Sequence, residues 1–170
     1  MRAACAALVV ALALGGCHAS QFTAGHRAAE RDSVAQMLDA WRGALAARDF
    51  GRAATFYSSD SAFRWFQDGE LKYRSARELA DTMLAMAPVV RDFGMSLIEP
   101  EITPVAPGVA IVTTNFAEKI TDTTGETIGL AGALSMTAVH GDSGWRFLIG
   151  HTSSVIVPAD SGAPRKPPRS

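Results

Sequence analysis

The chain has 170 residues, 48% of them hydrophobic, and its 16 basic and 17 acidic residues almost cancel. That length and apolar content suit one folded domain with a single hydrophobic core. The sequence argues against nucleic acid as a partner, because phosphate binding needs a clustered basic surface and the only basic cluster lies in the last few residues.

The N-terminal segment has the pattern of an export signal. An apolar run over residues 3–14 follows Arg2 and ends at Leu14-Gly15-Gly16-Cys17. This run is shorter than the roughly 20 residues that cross a bilayer, but it fits the apolar part of a cleaved signal, about 7–15 residues. Small residues before a lone cysteine resemble a bacterial lipobox. The resemblance implies cleavage before Cys17 and lipid attachment to it.

A lipid on Cys17 predicts the location of the protein. Two or more acyl chains would hold it durably at a membrane, which we expect to be its membrane partner. We expect a bacterial cell-envelope protein, at the outer membrane facing the periplasm because His18 rather than aspartate follows the cysteine. Cys5 would be removed with the signal, so the mature domain has no thiol for a disulfide, a zinc site or a nucleophile.

Composition divides the chain into four parts. We predict a signal peptide at 1–16, a lipidated tether at 17–31, a folded domain at 32–157 and a disordered tail at 158–170. The tail is rich in proline and small residues and cannot bury a core.

Two amphipathic helices and a short one are predicted in the first half of the domain. Ser33 and Gln36 form a capping box for a helix over 33–48, whose apolar stripe is Val34, Leu38, Trp41 and Leu45. Asp49 caps a short helix that runs through Phe56.

A hairpin and a third helix follow. Strands at 62–67 and 71–74 flank Asp68-Gly69-Glu70. Ser75 and Glu78 cap the next helix, whose stripe ends at Pro88.

From residue 91 the apolar period becomes two, which predicts a meander of strands at 91–103, 109–121, 127–139 and 145–156. The three-residue turn Thr123-Thr124-Gly125 fixes the register of the second of these strands against the third. It sets Ile120 opposite Ile128, Glu118 opposite Leu130, Phe116 opposite Gly132, Thr114 opposite Leu134 and Val112 opposite Met136. A four-residue loop at 141–144 then sets Ala138 opposite Phe147, Met136 opposite Ile149, Leu134 opposite His151 and Gly132 opposite Ser153.

Together these registers predict one apolar sheet face, since a slip of one residue would scatter the pattern. The polar exceptions on that face are Thr114, Glu118, His151 and Ser153.

The element order resembles that of the nuclear transport factor 2-like superfamily. The stretch WRGALAARDFGRAATFYSSDSAF, residues 41–63, is similar to the opening of its SnoaL-like and ketosteroid-isomerase-like branches. The ending GWRFLIGHTSS, residues 144–154, is similar to a branch whose last strand has tryptophan, then histidine before serine. The resemblance implies an α+β fold, in which a cone-shaped, curved antiparallel sheet wraps around about three N-terminal helices, and often a homodimer through the sheet.

The activities of that superfamily are not all compatible with this sequence. The isomerase base is an aspartate near the position of Arg64 and Trp65, where this chain has no carboxylate. The Asp-Arg-Asp set of limonene epoxide hydrolases lacks its aspartates around Arg64. His18, His26 and His140 show no metal-ligand spacing, so we expect neither a metal nor another cofactor.

The candidate ligand site is centred on His151, an imidazole on an apolar face that could bind a ligand or act as acid or base. The alternative is a core histidine bonded to a neighbouring hydroxyl or carbonyl. Arg64 either points inward to an anionic group or lies in solvent. Glu118 is expected at the rim of the sheet or paired with a basic helix residue. The remaining candidate binding residues are Thr114, Phe116, Leu134, Ser153 and Trp65.

The sequence therefore predicts a lipid-anchored protein whose pocket binds a small, largely apolar molecule, with no catalysis evident. One alternative is an isomerase- or dehydratase-like enzyme in which His151 is the general base. Another is an interaction module that dimerises through the small-residue face of Thr127, Gly129, Ala131, Ala133, Ser135 and Thr137.

Overall fold

The computed structural model describes residues 22–158 and has an α+β fold, as predicted. The signal peptide, Cys17 and the tail beyond residue 158 lie outside the described residues. The helices are α1 (Ala24–Ala46), α2 (Phe50–Ala54) and α3 (Ala76–Met86). The strands are β1 (Arg64–Gln67), β2 (Glu70–Tyr73), β3 (Val90–Ala106), β4 (Val109–Asp122), β5 (Thr127–Gly141) and β6 (Gly144–Val157).

Helix α1 begins nine residues before the predicted start, so the tether predicted for 17–31 is wrong from residue 24 onward. Thr23 is the N-cap, and its hydroxyl accepts a hydrogen bond from the His26 amide. Glu30 accepts a hydrogen bond from the Gly108 amide at 2.8 Å, which fastens this early turn to the β3–β4 loop. The segment at 24–31 is rich in alanine and contains no proline, and Ser33, predicted as the cap, is an exposed residue within the helix.

The other two caps are where the sequence predicts them. Asp49 accepts a hydrogen bond from the Arg52 amide, and Ser75 accepts one from the Glu78 amide. The Glu78 carboxylate in turn accepts from the amide of Arg74 at 2.7 Å. The bonds from the Arg52 and Glu78 amides satisfy donors that the first turn of a helix leaves without partners, and the bond from Arg74 ties the preceding residue to α3.

All six strands form one curved sheet in the order β2-β1-β6-β5-β4-β3. Strand β1 runs parallel to β6, and every other neighbouring pair is antiparallel. The outer strands β2 and β3 do not pair with each other, so the sheet stays open. The helices pack on its concave face, where the core aromatic residues include Trp41, Phe50, Phe63, Phe116 and Phe147.

The predicted register of β4 against β5 is confirmed at all five predicted pairs, from Ile120 with Ile128 to Val112 with Met136. Gly125 has φ +94°, the left-handed conformation that the three-residue turn requires.

The register of β5 against β6 is right at its start and wrong beyond it. Ala138 lies opposite Phe147 as predicted, but Leu148 is an extra residue in a β-bulge, and Thr137 then pairs with Ile149. From that point Met136 pairs with Gly150, Leu134 with Thr152 and Gly132 with Ser154. Because of this one unpaired residue, the β6 side chains after Leu148 face the side of the sheet opposite to the one predicted.

Gly150 explains why the bulge occurs where it does. A β-carbon at this position would lie 2.2 Å from Cζ3 of Trp65, so only glycine fits beneath that ring. Without the bulge, Ile149 would occupy the inward position.

None of the described helices is long and apolar enough to span a bilayer.

Candidate functional site

A cavity of about 210 Å³ lies between the concave face of the sheet and the helices. The helical wall comprises Trp41 and Leu45 of α1, Phe50 of α2, and Leu79, Thr82, Met83 and Met86 of α3. Strands β1 to β3 contribute Trp65, Gln67, Tyr73, Phe93 and Met95. Strands β4 to β6 contribute Phe116, Glu118, Leu130, Leu134, Thr152 and Ser154, and Tyr57 completes the lining. The wall is therefore mainly apolar, with a few hydroxyls, one amide and one carboxyl group.

The carboxyl group belongs to Glu118, which strand β4 directs into the cavity. Glu118 shares the inward side of β4 with Phe116, two residues before it, and pairs with Leu130 across the sheet. Burial raises the pKa of Glu118 to about 7, because the apolar surroundings disfavour its charged form. At neutral pH this side chain therefore exists both protonated and ionised.

No described residue compensates the charge of Glu118. The three ion pairs among residues 22–158 all lie elsewhere, between arginine and aspartate on the surface. No described side chain or amide donates a hydrogen bond to its carboxylate either. The prediction that Glu118 pairs with a basic helix residue is wrong, because α1 and α3 present only apolar, aromatic and hydroxyl side chains to the cavity.

Tyr57 and Trp41 form a second polar feature of the wall. Burial raises the pKa of Tyr57 well above its ordinary value, and the neighbouring Trp41 side chain opposes that rise. The indole N–H of Trp41 is buried and has no partner at hydrogen-bonding geometry. A buried donor without a partner costs free energy, and the hydroxyl oxygen of the neighbouring Tyr57 is the acceptor beside it.

Edge-to-face aromatic contacts hold the wall rigid behind these groups. The ring centroids of Tyr57 and Trp65 are 5.3 Å apart at 76°, and those of Trp41 and Phe147 are 5.3 Å apart at 77°. Such pairs stabilise a fixed arrangement by about 0.5–1.5 kcal/mol beyond burial alone. The cavity is therefore set by a packed core rather than by a mobile loop.

Four of the predicted binding residues line the cavity. Phe116 and Leu134 are almost fully buried in its floor, Trp65 forms part of the side wall, and Glu118 is the acid described above. Phe116, Glu118 and Leu134 lie on β4 and β5, whose inward parity follows from the sequence pattern, whereas the pattern left the parity of β1, and so of Trp65, open.

His151 and Ser153 do not line it. The bulge at Leu148 turns both side chains to the convex face, where they are exposed, and His151 pairs with Ser135 rather than Leu134. The prediction of His151 as the centre of the site is therefore wrong. Thr152 and Ser154 take the inward positions instead.

Thr114 and Arg64 do not line the cavity, and their side chains form hydrogen bonds with backbone groups instead. The buried Thr114 hydroxyl lies 3.1 Å from the Ile98 carbonyl oxygen and accepts from the Ile98 amide at 3.2 Å, where β3 is irregular. The Arg64 guanidinium donates to the carbonyl oxygens of Ser61, Phe63 and Arg74. The inward orientation predicted for Arg64 as one alternative is thus wrong.

Sequence reasoning missed Tyr57, Tyr73, Gln67, Thr152 and Ser154. The run Phe147-Leu148-Ile149 contains the one available signal, because three consecutive apolar residues break the alternation of a half-buried strand, as a bulge does. Nothing local identifies Tyr57, which lies between α2 and β1. Residues 22–158 contain no cluster of three or more metal-ligating side chains.

Residues 34–158 match the family model described as the SnoaL-like domain. A search of curated protein sequences gives no significant match.

Solved structures share the fold. A protein from Novosphingobium aromaticivorans, provisionally assigned as a scytalone dehydratase, superposes with a TM-score of 0.70 at 14% identity, covering 84% of this chain and 96% of that one. A nuclear transport factor 2-like superfamily protein from Salmonella enterica gives 0.65 at 14% identity, covering 82% and 98%. A ketosteroid isomerase-like protein from Erwinia carotovora gives 0.60 at 19% identity, covering 74% and 96%.

Proposed function

Since the chain belongs to the SnoaL-like domain family, we propose that its domain binds a small, largely apolar molecule in the cavity between sheet and helices. The observation that carries this proposal is the cavity itself, about 210 Å³ with a mainly aromatic and aliphatic wall. A dry apolar cavity of about 150 Å³ accommodates benzene, so this volume suits a molecule of one or two rings. Few polar groups converge on it, as is typical of a ligand site.

The proposal can be tested by closing the mouth of the cavity. Thr82 is an exposed residue of α3 that lines the cavity, whereas Ala85 is exposed on the same helix and does not. A panel of one- and two-ring compounds is screened by thermal shift against the wild type, Thr82→Trp and Ala85→Trp. We expect Thr82→Trp to abolish the ligand-induced shift and Ala85→Trp to preserve it. Equal shifts in all three proteins would refute the cavity as the binding site.

The acidity of Glu118 favours a second candidate function, proton transfer to or from a bound molecule. A carboxyl group with a pKa of about 7 in a mainly apolar cavity is suited to general acid–base catalysis. It replaces the histidine base predicted from the sequence. Small cyclic enones incubated with the protein in D₂O would reveal deuterium incorporation or isomerisation by NMR. Glu118→Gln should slow such exchange by about 100-fold or more, and unchanged exchange would exclude this role.

We also propose that the protein is exported and attached to a cell-envelope membrane through Cys17. The supporting observations are the short apolar run and the Gly-Gly-Cys sequence that ends it. Labelling of expressing cells with radioactive palmitate should mark the wild type and leave Cys17→Ala unlabelled. Label on the variant, or wild-type protein without label, would rule out the anchor.

A homodimer through the convex face of the sheet is the remaining proposal about partners. Ile111 and Ile149 are exposed there, at 41% and 42%, on either side of Thr137, and the small side chains of Ser135 and Ala133 follow on the same face of β5. Sedimentation at micromolar concentration should give a dimer for the wild type and a monomer for Ile149→Lys. A wild-type monomer would contradict it.

A further inference from the structure

Building on the binding function argued above, we propose that the ligand carries a positively charged nitrogen and that Glu118 is its counter-ion. The ligand class is a protonated amine or quaternary ammonium on an apolar frame of one or two rings. The cavity would thus select its ligand by charge as well as by apolar character.

The charges on the wall are the first reason. Glu118 is the one charged side chain among the cavity-lining residues, which include no lysine, arginine or histidine. A buried carboxylate without a partner is costly, and a cation within a few ångströms lowers that cost. Because no described residue supplies the cation, a ligand that does so gains an interaction that no neutral molecule obtains.

The aromatic rings are the second reason. Seven aromatic side chains line the cavity, among them Trp41, Trp65, Tyr57 and Tyr73. The face of an aromatic ring carries partial negative charge and attracts ammonium groups, most strongly for tryptophan. Aromatic side chains of both the helical and the sheet wall line the space, so a bound cation would exchange its water for aromatic neighbours and one carboxylate.

Other ligand charges fit this wall less well. An anion would meet Glu118 with no basic side chain to offset the repulsion. A neutral apolar molecule would cover the carboxyl group and favour its protonated form, because burial disfavours charge. The three classes therefore differ in how their affinity responds to pH.

The pH response depends on Glu118 alone. The cavity-lining residues of α1, α2, α3, β1, β3, β5 and β6 include no titratable side chain, and the only others in the wall are Tyr57 and Tyr73. Phenols are ordinarily neutral below pH 8. Since burial raises the pKa of Glu118 to about 7, affinity for a permanent cation should rise about tenfold from pH 6 to pH 8. Affinity for a neutral molecule should stay level or fall.

A pair of isosteric probes tests this directly. Benzyltrimethylammonium and neopentylbenzene have the same shape. They differ at one atom, which is a positively charged nitrogen in the first and a neutral carbon in the second. Each is titrated into the purified full chain at pH 6, 7 and 8, without detergent, and followed by the fluorescence of the cavity tryptophans. We expect the cation to bind about tenfold or more tightly than the neutral probe at pH 8. Most of that advantage should be lost at pH 6.

Two charge-neutralising variants separate the site from general electrostatics. Glu118→Gln should lose about tenfold or more of the cation affinity at pH 8 and its pH dependence, while neutral binding is retained. Glu101→Gln removes the same charge from an exposed position and should behave as wild type. Tighter binding of the neutral probe, or unchanged cation affinity in Glu118→Gln, overturns the cation proposal and leaves the binding function standing. If neither probe binds, the binding function fails with it.

Discussion

Gly150 lies directly beneath the indole ring of Trp65, in contact so close that a β-carbon on Gly150 would come within 2.2 Å of ring atom Cζ3. Trp65 cannot easily yield, because its ring packs edge-on against Tyr57 at 5.3 Å and lines the cavity. The contact between Gly150 and Trp65 therefore fixes the position of a cavity-lining ring where β1 pairs with β6 in parallel.

Gly150→Ala is accordingly expected to destabilise the protein by about 1–3 kcal/mol, because overpacking a dense core forces side chains from their preferred conformations. Denaturant unfolding measures the loss. Gly141→Ala is the control, since a β-carbon there meets nothing within 4 Å and the residue has no positive φ. Equal stability of the two variants would contradict the close packing of Trp65.

Glu118 should make stability depend on pH. Its pKa is raised to about 7 in the folded protein, above the ordinary glutamate value of 4.5, so the folded state holds the proton more tightly than the unfolded state. Its contribution is then most favourable below about pH 4.5 and is lost as pH rises through 7. We expect Glu118→Gln to be more stable than wild type at pH 8, by about 2–3 kcal/mol, and similar to it near pH 4.5.

Urea unfolding at both pH values checks this, with Glu101→Gln as the exposed control. A stability gain for Glu118→Gln that is the same at pH 4.5 and pH 8 would show that the carboxyl group is not the cause.

Thr114 should act on stability rather than on binding. Its hydroxyl accepts a hydrogen bond from the Ile98 amide beside the irregularity in β3, so Thr114→Val would leave a backbone donor without a partner. The expected cost is about 1–3 kcal/mol by denaturant unfolding. Thr113→Val, one residue away on the exposed face, should be near neutral. Destabilisation of both to the same extent would argue against the hydroxyl contact.

His151 and Thr152 are adjacent residues that should respond oppositely to mutation. His151 is exposed on the convex face, and Thr152 lines the cavity. Binding of a small neutral aromatic such as indole, measured by thermal shift, should be unchanged in His151→Ala. Thr152→Leu should alter it several-fold, because it adds bulk to the wall. A reversed pattern would mean that β6 faces the other way.

The first half of β6 illustrates what local sequence can and cannot specify. The turn Thr123-Thr124-Gly125 predicts the β4–β5 register because a single glycine in the left-handed conformation fixes the loop length. No comparable residue marks Leu148 as the extra one, since any of the three apolar residues at 147–149 could face the core. The deciding contact is between Gly150 and Trp65, which are 85 positions apart and come together only in the folded sheet.

The candidate site was predictable to the same degree. Inward parity on β4 and β5 identifies Phe116, Glu118 and Leu134 from the alternation alone. The absence of a described partner for Glu118 depends on which helix residues face it, and that requires the packing of α1 and α3. The early start of α1 was missed for a different reason. Ser33 and Gln36 are spaced like a capping box but lie on the exposed side of a continuing helix.

The bulge at Leu148 gives this scaffold an unusual evolutionary route. If Leu148 instead paired with Thr137, with no change in chain length, plain alternation would return and would bring the imidazole of His151 and the hydroxyl of Ser153 to the interior in place of Thr152 and Ser154. One substitution that removes the bulge would thus change several wall positions together, whereas replacements within the wall would have to alter them one by one. Descendants of such a strand can diverge in chemistry while their amino-acid composition hardly changes.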